Sequence, residues 1–340
     1  MRPLTYLRAD SVETAVSAVQ ADPGSRFLAG GTTEIDLLRL HVRTARRLVD
    51  INRLPLGGVE ELPDGGLRIG ALTRMSETAA HQTVRDRYPM VAQALELGAS
   101  AQLRHMASMG GNMMQAVRCG YFRDHQAPCN KREPGTGCAA LEGVSRTHAV
   151  LGTSEHCIAT HPSDVAVPLA ALDTVVHTRT PDGATRSYSF DEFFLEPGDT
   201  PHLEHPLAHG ELITALEIPA LPMARRSRYL KVRDRESYEF ALVSVAAAVD
   251  ISDGVVRDTR IALGGVATRP WRAHRAEAAL RGAPATDESF ARAAAEELAD
   301  ARTTPMNAFK PELARRTLVR ALRDLTGTQH DNGQNPEGNR

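Results

Sequence analysis

The chain has 340 residues, 42% of them hydrophobic and 24% charged, with a formal net charge of −2. That length can bury a sizeable core and predicts two or three domains. The near-neutral balance and 4% aromatic content exclude a basic nucleic-acid footprint and a base-stacking platform. The N-terminus, MRPLTYLRAD, has no apolar signal region and no twin-arginine motif, and no apolar run could span a bilayer. The expectation is no membrane insertion and a cytoplasmic protein by its own signals, unless a signal-bearing partner carries it, folded, to the periplasm.

In chain order, Ser11 caps a helix with Val12, Ala15, Val16 and Val19 at helical spacing. Asp22-Pro23-Gly24 forces a turn. RFLAGGTTEIDLLRL then reads as a strand, a glycine pair and a helix with Ile35, Leu38 and Val42 on one face. RRLVDIN and LRIGALT read as strands with a turn at Pro63-Asp64-Gly65-Gly66 between them. MSETAAH and PMVAQALELGA read as helices. Residues 115–162 are irregular, and DVAVPLAALDTVVHTRT returns to helix-and-strand character. IPALPMARRS marks a boundary. Strands at YLKVRDR, ALVSVAAAVDIS and VRDTRIALGGVA follow it, then helices at HRAEAALRG, SFARAAAEELADAR and ELARRTLVRALRDL, the order of an α+β domain. The polar tail, residues 328–340, reads as disordered.

All four cysteines, Cys119, Cys129, Cys138 and Cys157, fall in the irregular stretch, spaced C-x9-C-x8-C-x18-C. A chain this long needs no disulfides to hold its core, so metal or redox chemistry is expected. Neither the close knuckles of a structural zinc site nor the ferredoxin run is present. Four soft thiolates suit zinc or an iron–sulfur cube, and the residues alone leave both open. Arg118, Arg123, Lys131, Arg132 and Arg146 offer positive charge to offset an anionic cluster. His156 and His161 read as loop residues rather than ligands.

Leu28-Ala29-Gly30-Gly31-Thr32-Thr33-Glu34 lies between strand and helix, where glycines let backbone N–H groups converge on an anion such as a diphosphate. It is not the G-x-G-x-x-G of a Rossmann fold. Ser108-Met109-Gly110-Gly111-Asn112 has the same character, whereas Leu263-Gly264-Gly265-Val266 reads as a bend after a strand.

AGGTTEIDLL, RIGALT, MGGNMM, THPSDVAVPLAALD, ELITALEIP, YLKVRDRESYEFALVSVAAAV and ALGGVATRPWRA occur in this order along most of the chain. Together they resemble the medium, FAD-binding subunit of the xanthine dehydrogenase and carbon monoxide dehydrogenase family of molybdenum hydroxylases. The resemblance implies an α+β fold: a two-part FAD-binding domain of the vanillyl-alcohol-oxidase (PCMH) type at 1–222, with parts at about 1–55 and 56–222. A CO-dehydrogenase-flavoprotein-like α+β domain would follow at 223–327. RCGYFRDHQAPCNKREPGTGCAALEG and GTSEHCIATHPSD resemble the flavin subunit of bacterial periplasmic aldehyde oxidoreductases, which carries a 4Fe–4S cluster in an insertion here at about 115–162. A similar insertion occurs in 4-hydroxybenzoyl-CoA reductase.

Carried over, the resemblance implies that Cys119, Cys129, Cys138 and Cys157 hold the cluster. Arg26, Phe27, Leu28, Ala29, Gly30, Gly31, Thr32, Thr33 and Glu34 would form the first FAD loop, around the diphosphate. Ser108, Gly111 and Asn112 would belong to the second. Ser163 and Asp164 would contact the nucleotide end, although either could cap the following helix. Leu72, Ile213 and Lys231 would line the cleft, although a solvated strand lysine is an equal reading of Lys231. No catalytic residue is assigned beyond the flavin. The implied function is electron transfer in a heterotrimer, from a large molybdenum-cofactor subunit and a small 2Fe–2S subunit, through FAD, to an external acceptor. The alternatives are the flavin subunit of another molybdenum hydroxylase, a self-sufficient flavin oxidoreductase, and a non-catalytic zinc protein.

Overall fold

The structure is a computed structural model that describes residues 3–327; the tail expected to be disordered lies outside the described residues. Three sheets follow one another along the chain. The first is parallel, with β1 (Thr5–Arg8) and β2 (Ser25–Leu28) flanking β3 (Arg47–Asp50). Its central strand carries Leu48 and Val49, both buried, as a parallel strand covered on both faces requires. The helix Val12–Gln20 buries Ala15, Val16 and Val19, and Ser11 Oγ accepts from Thr14 N at 3.0 Å, as its spacing predicts.

The second sheet is antiparallel. It contains β4 (Val59–Glu61), β5 (Leu67–Gly70), β6 (Val175–Arg179), β7 (Thr185–Ser189) and β8 (Leu212–Ile218), in the order β4-β5-β8-β6-β7. The turn at Pro63–Gly66 closes a hairpin with β4, not with the RRLVDIN strand as expected. The strand β4 escaped detection because VEE has one half-buried residue and two exposed ones, so no alternation marks it. Leu67 and Ile69 pair with Ile218 and Leu216 and face a core shared with the helices Met75–Ala80, Pro89–Leu97 and Ala166–Ala171.

The third sheet, also antiparallel, orders β9 (Ser227–Val232), β10 (Val243–Ser252), β11 (Val255–Gly264) and β12 (Trp271–Arg272) as β12-β11-β10-β9. Its β10 is buried on both faces. Val243, Val245, Ala247 and Val249 pack under helices His274–Leu280, Asp287–Glu297 and Lys310–Thr326, while Ala246 and Ala248 join the core of the second sheet. Small residues on the second face let the two layers approach closely. At the end of β11 Gly265 adopts φ +72°, and a Cβ there would meet the Leu242 carbonyl oxygen at 2.7 Å; the expected bend is present.

Within the long connection from β5 to β6 of the second sheet, residues 115–162 run almost without regular structure, apart from the short helix Gly120–Arg123. Among the described residues no helix is long and apolar enough to cross a membrane.

Candidate functional site

Strand β2 delivers the chain into the first glycine loop. Gly31 has φ +72°, which suits glycine, and a Cβ on Gly30 would lie 1.9 Å from the Met106 carbonyl oxygen. Glycine here therefore lets the first loop touch the backbone just before the second. Among the described residues the N–H groups of Gly30, Gly31, Thr32 and Thr33 have no acceptor within the protein, which leaves them for an anion. Glu34, which also lines the cleft, is held by two arginines. Its carboxylate pairs with Arg43 at 3.0 Å and Arg26 at 3.4 Å and ties the loop's two ends together. Burial lowers the Arg26 pKa, and the Glu34 charge opposes that shift. The helix that follows is shorter than expected, Glu34–Arg39, because His41 takes the left-handed conformation and ends the run before Val42.

In the second loop, Ser108 caps the short helix Met109–Met113 by accepting from Gly111 N at 3.2 Å. Gly110 lies against Ala71, whose Cβ an added side chain would meet at 2.9 Å. Asn112 Oδ1 accepts from Ser163 Oγ at 2.5 Å, and Ser163 Oγ accepts from Ala166 N at 3.0 Å. Ser163, not Asp164, therefore offers its side-chain oxygen to the first N–H of the helix Ala166–Ala171, whose N-cap is Val165. Asp164 instead receives Tyr229 OH at 2.6 Å and Lys231 Nζ at 2.8 Å. Lys231 is not a solvated strand lysine: its side chain is 1% exposed. Burial pushes the Asp164 carboxyl up, and the Lys231 charge works against that rise.

The two loops border a cleft of two chambers, each about 470 Å³, which share Thr32, Thr33, Ala107 and Gly111. Arg26, Phe27, Ala29 to Glu34, Leu72, Ser108, Gly111 and Ile213 line the first chamber. Asn112 and Asp164 line the second. Three of the expected residues stand behind the walls. Leu28 packs on Leu38 and Leu48, Ser163 holds Asn112, and Lys231 backs Asp164. The sequence reading missed the 202–211 segment, which covers the first chamber and carries no motif. It also missed Arg235, Tyr238 and Phe240 in the second chamber. In a chain with so few aromatics, the pair in ESYEF was the available signal.

The cysteine segment folds against this cleft. Asn130 N donates to Gly137 O at 2.7 Å, and Gly137 N donates to Asn130 Oδ1 at 2.8 Å, so Cys129 and Cys138 stand side by side on a small antiparallel bridge. Gly135 and Gly137 supply the positive φ of that turn. Cys129, Cys157 and Cys119 pack with Leu37 from the helix after the first glycine loop. All four cysteines line one small cavity, and none is in a disulfide. Among the described residues no group of three or more His, Cys, Asp or Glu side chains is placed to hold a metal ion. A cube needs wider spacing than one ion, because its irons and sulfides stand between the thiolates.

Burial pushes the Cys119 thiol up to about 11, with the backbone N–H groups of Phe122 and Tyr121 opposing it. Burial also raises Cys157, and there the Lys131 charge opposes the rise. Binding iron would have to displace those protons. Of the basic residues expected to offset a cluster, Lys131 borders the cavity and its charge acts on Cys157, although its ammonium is also held by Glu204 at 3.1 Å and the Pro201 carbonyl at 2.8 Å. Others serve elsewhere: Arg118 and Arg123 pair with Asp36, Arg132 holds the Tyr121 and Phe122 carbonyls, and Arg146 pairs with Asp234. His161 is half-buried, desolvation lowers its pKa to about 3, and its ring packs edge-on to Phe194.

The two-loop cleft rests on a parallel layer and an antiparallel sheet, and the core of that sheet continues through β10 into an α+β domain. The chain belongs to the FAD-binding subunits of the molybdopterin dehydrogenases. Residues 2–221 match the family described as the FAD binding domain in molybdopterin dehydrogenase, and 228–325 match the CO dehydrogenase flavoprotein C-terminal domain. It is thus an oxidoreductase subunit of the molybdenum hydroxylase family. Among individual proteins, it is 49% identical to the aldehyde oxidoreductase FAD-binding subunit PaoB of Escherichia coli K12, over 95% of this chain and 98% of that one. It is 27% identical to the glyceraldehyde dehydrogenase medium chain of Sulfolobus acidocaldarius, over 84% and 83% of the two chains. The fold matches a chain of carbon monoxide dehydrogenase from Hydrogenophaga pseudoflava with a TM-score of 0.74 and 25% identity, covering 96% of this chain and 98% of that one.

Proposed function

We propose that this chain is the FAD- and 4Fe–4S-carrying electron-transfer subunit of a heterotrimeric molybdenum-containing aldehyde oxidoreductase. Electrons would arrive from a molybdenum-cofactor subunit and a 2Fe–2S subunit and leave to an external acceptor. The observation that carries this reading is the convergence of four cysteines on one cavity beside the FAD cleft. Near-full-length similarity to an aldehyde oxidoreductase FAD-binding subunit supports the aldehyde branch.

The bound groups supply the redox chemistry, flavin taking electrons singly or in pairs and a cluster taking one. The chain's own residues bind and position. The free N–H groups of Gly30 to Thr33 would hold the diphosphate. Arg26, Glu34 and Arg43 would fix that loop's shape. Leu72, Ile213, Asn112 and Asp164 would wall the cofactor, while Lys231 and Tyr229 orient Asp164. Cys119, Cys129, Cys138 and Cys157 would be the cluster ligands. We take 1–222, with the insertion at about 115–162, as the FAD-binding part and 223–327 as the C-terminal domain.

The test is co-purification of a tagged chain from its host. Recovery of one subunit bearing molybdenum cofactor and one bearing 2Fe–2S clusters is expected. A monomer that oxidises aldehyde with no molybdenum subunit would overturn the relay and favour a self-sufficient flavoenzyme.

A further inference from the structure

We propose that His148 is an outer hydrogen-bond donor to the cysteine site and raises the reduction potential of the cluster bound there. This rests on the reading that the four cysteines hold an iron–sulfur cluster. His148 Nε2 lies 3.2 Å from Cys119 Sγ. A thiolate bound to iron carries no proton, so a hydrogen bond across that gap is donated by the imidazole. His148 Nδ1 has no hydrogen-bond partner among the described residues. A proton on Nε2 leaves a lone pair bare at Nδ1, whereas a proton on Nδ1 would leave a buried N–H bare, the costlier choice.

The ring is held in place from outside the cysteine segment. His148 is 5% exposed, so water does not compete for the donor. Its own N–H closes a turn onto Ser145 O at 2.9 Å. Lys310 Nζ donates to the adjacent Thr147 carbonyl at 2.9 Å, and Asn307 Nδ2 to the His148 carbonyl at 3.4 Å. Ser145 Oγ meets Thr304 Oγ1 at 2.7 Å. Thr304, Asn307 and Lys310 all come from the C-terminal domain, so that domain sets the donor's position against the cluster ligand.

A donor to a ligand sulfur strengthens as negative charge accumulates on it. Reduction adds an electron to the cluster, so the bond favours the reduced form and raises the potential. Packing alone would fill the same space with any ring of this size and would leave the potential unchanged.

His148→Phe keeps the ring and removes the N–H. In the purified full-length chain, the expected result is wild-type iron content, a lower midpoint potential in a titration followed by electron paramagnetic resonance, and iron–thiolate stretching bands moved upward. His148→Gln, which can donate again, should recover part of both shifts. A check on the native protein needs no variant: with histidine labelled by heavy nitrogen, pulsed resonance of the reduced cluster should detect one coupled histidine nitrogen. An unchanged potential in iron-replete His148→Phe, or no histidine coupling in the wild type, overturns the proposal. Wild-type protein that contains no iron rejects the cluster reading itself, and this inference with it.

Discussion

The Lys231 ammonium lies 2.8 Å from an Asp164 carboxylate oxygen, with the two side chains 1% and 8% exposed at the edge of the flavin cleft. A buried pair of this kind costs little while it is intact and a great deal when halved. Lys231→Met leaves a buried carboxylate with the Tyr229 hydroxyl but without its ion-pair partner, a loss of about 3–5 kcal/mol. The expected outcome is a marked fall in Tm together with weaker FAD retention. Adding Asp164→Asn should restore part of the Tm, because the uncompensated charge is gone. A Lys231→Met protein as stable as wild type would show that the pair is not a buried unit.

The two glycines of the first loop should fail differently. Gly31→Val places a β-branched residue at φ +72°, a strain of about 1–2 kcal/mol or more. Its Cβ would also press on Ile35 Cγ1 at 3.1 Å and Leu28 Cδ1 at 3.4 Å, displacing the loop whose N–H groups would hold the diphosphate, so FAD should be lost while the fold persists. Gly30→Ala drives a methyl group into the Met106 carbonyl. The two loops must then part, and both FAD content and Tm should fall. Flavin fluorescence after gel filtration, paired with thermal unfolding, separates the two cases. Tight FAD retention by a folded Gly31→Val protein would show that the loop has been assigned the wrong task.

Cys129→Ser removes one thiolate from the four around the cavity, and a cube with three anchors is labile. The irregular 115–162 segment has little regular structure of its own, so loss of the cluster should loosen it. Lower iron content and faster proteolysis within this segment are expected. Full iron and unchanged cleavage would argue that Cys129 is no ligand.

Lys310 provides a pH signature. Burial, with the Arg146 charge adding to it, brings its pKa from 10.5 down to about 7. The neutral amine still has two N–H groups, and both are used, on the Thr147 and Gly265 carbonyls. Below about 7 both folded and unfolded chains hold the proton, so this group adds no slope. Between about 7 and 10.5 the unfolded chain holds a proton that the folded chain has released, so stability rises with pH. The difference in unfolding free energy between wild type and Lys310→Met should therefore grow in favour of wild type across that window. A difference independent of pH would mean that Lys310 stays charged when folded.

Much of this architecture was legible because local signals agreed with the tertiary outcome. Ser11 and the Val12–Val19 spacing specify a helix before any packing is known, and β10 announces its buried face through alternating valines. The strand Val59–Glu61 was not legible, because an edge strand with exposed glutamates looks like a loop. At the site, the glycine pairs and the cysteine spacing were visible as chemistry. Asp164 and Lys231 were visible as residues but not as a pair, since 67 positions separate them and only the fold brings β9 beneath the THPSD turn. His148 gave no signal at all: its significance is a distance to Cys119, which spacing does not encode. The basic residues misled in the opposite direction, being near the cysteines in sequence but mostly committed to other acids and carbonyls.

On the proposed function, one chain holds both a flavin and a four-cysteine cluster. It is tested most directly by iron, zinc and flavin analysis of the anaerobically purified protein, alongside its visible spectrum. About one FAD and about four irons per chain are expected, with broad cluster absorption beneath the flavin bands that bleaches on reduction. One zinc with no iron, or flavin with no metal, would contradict it.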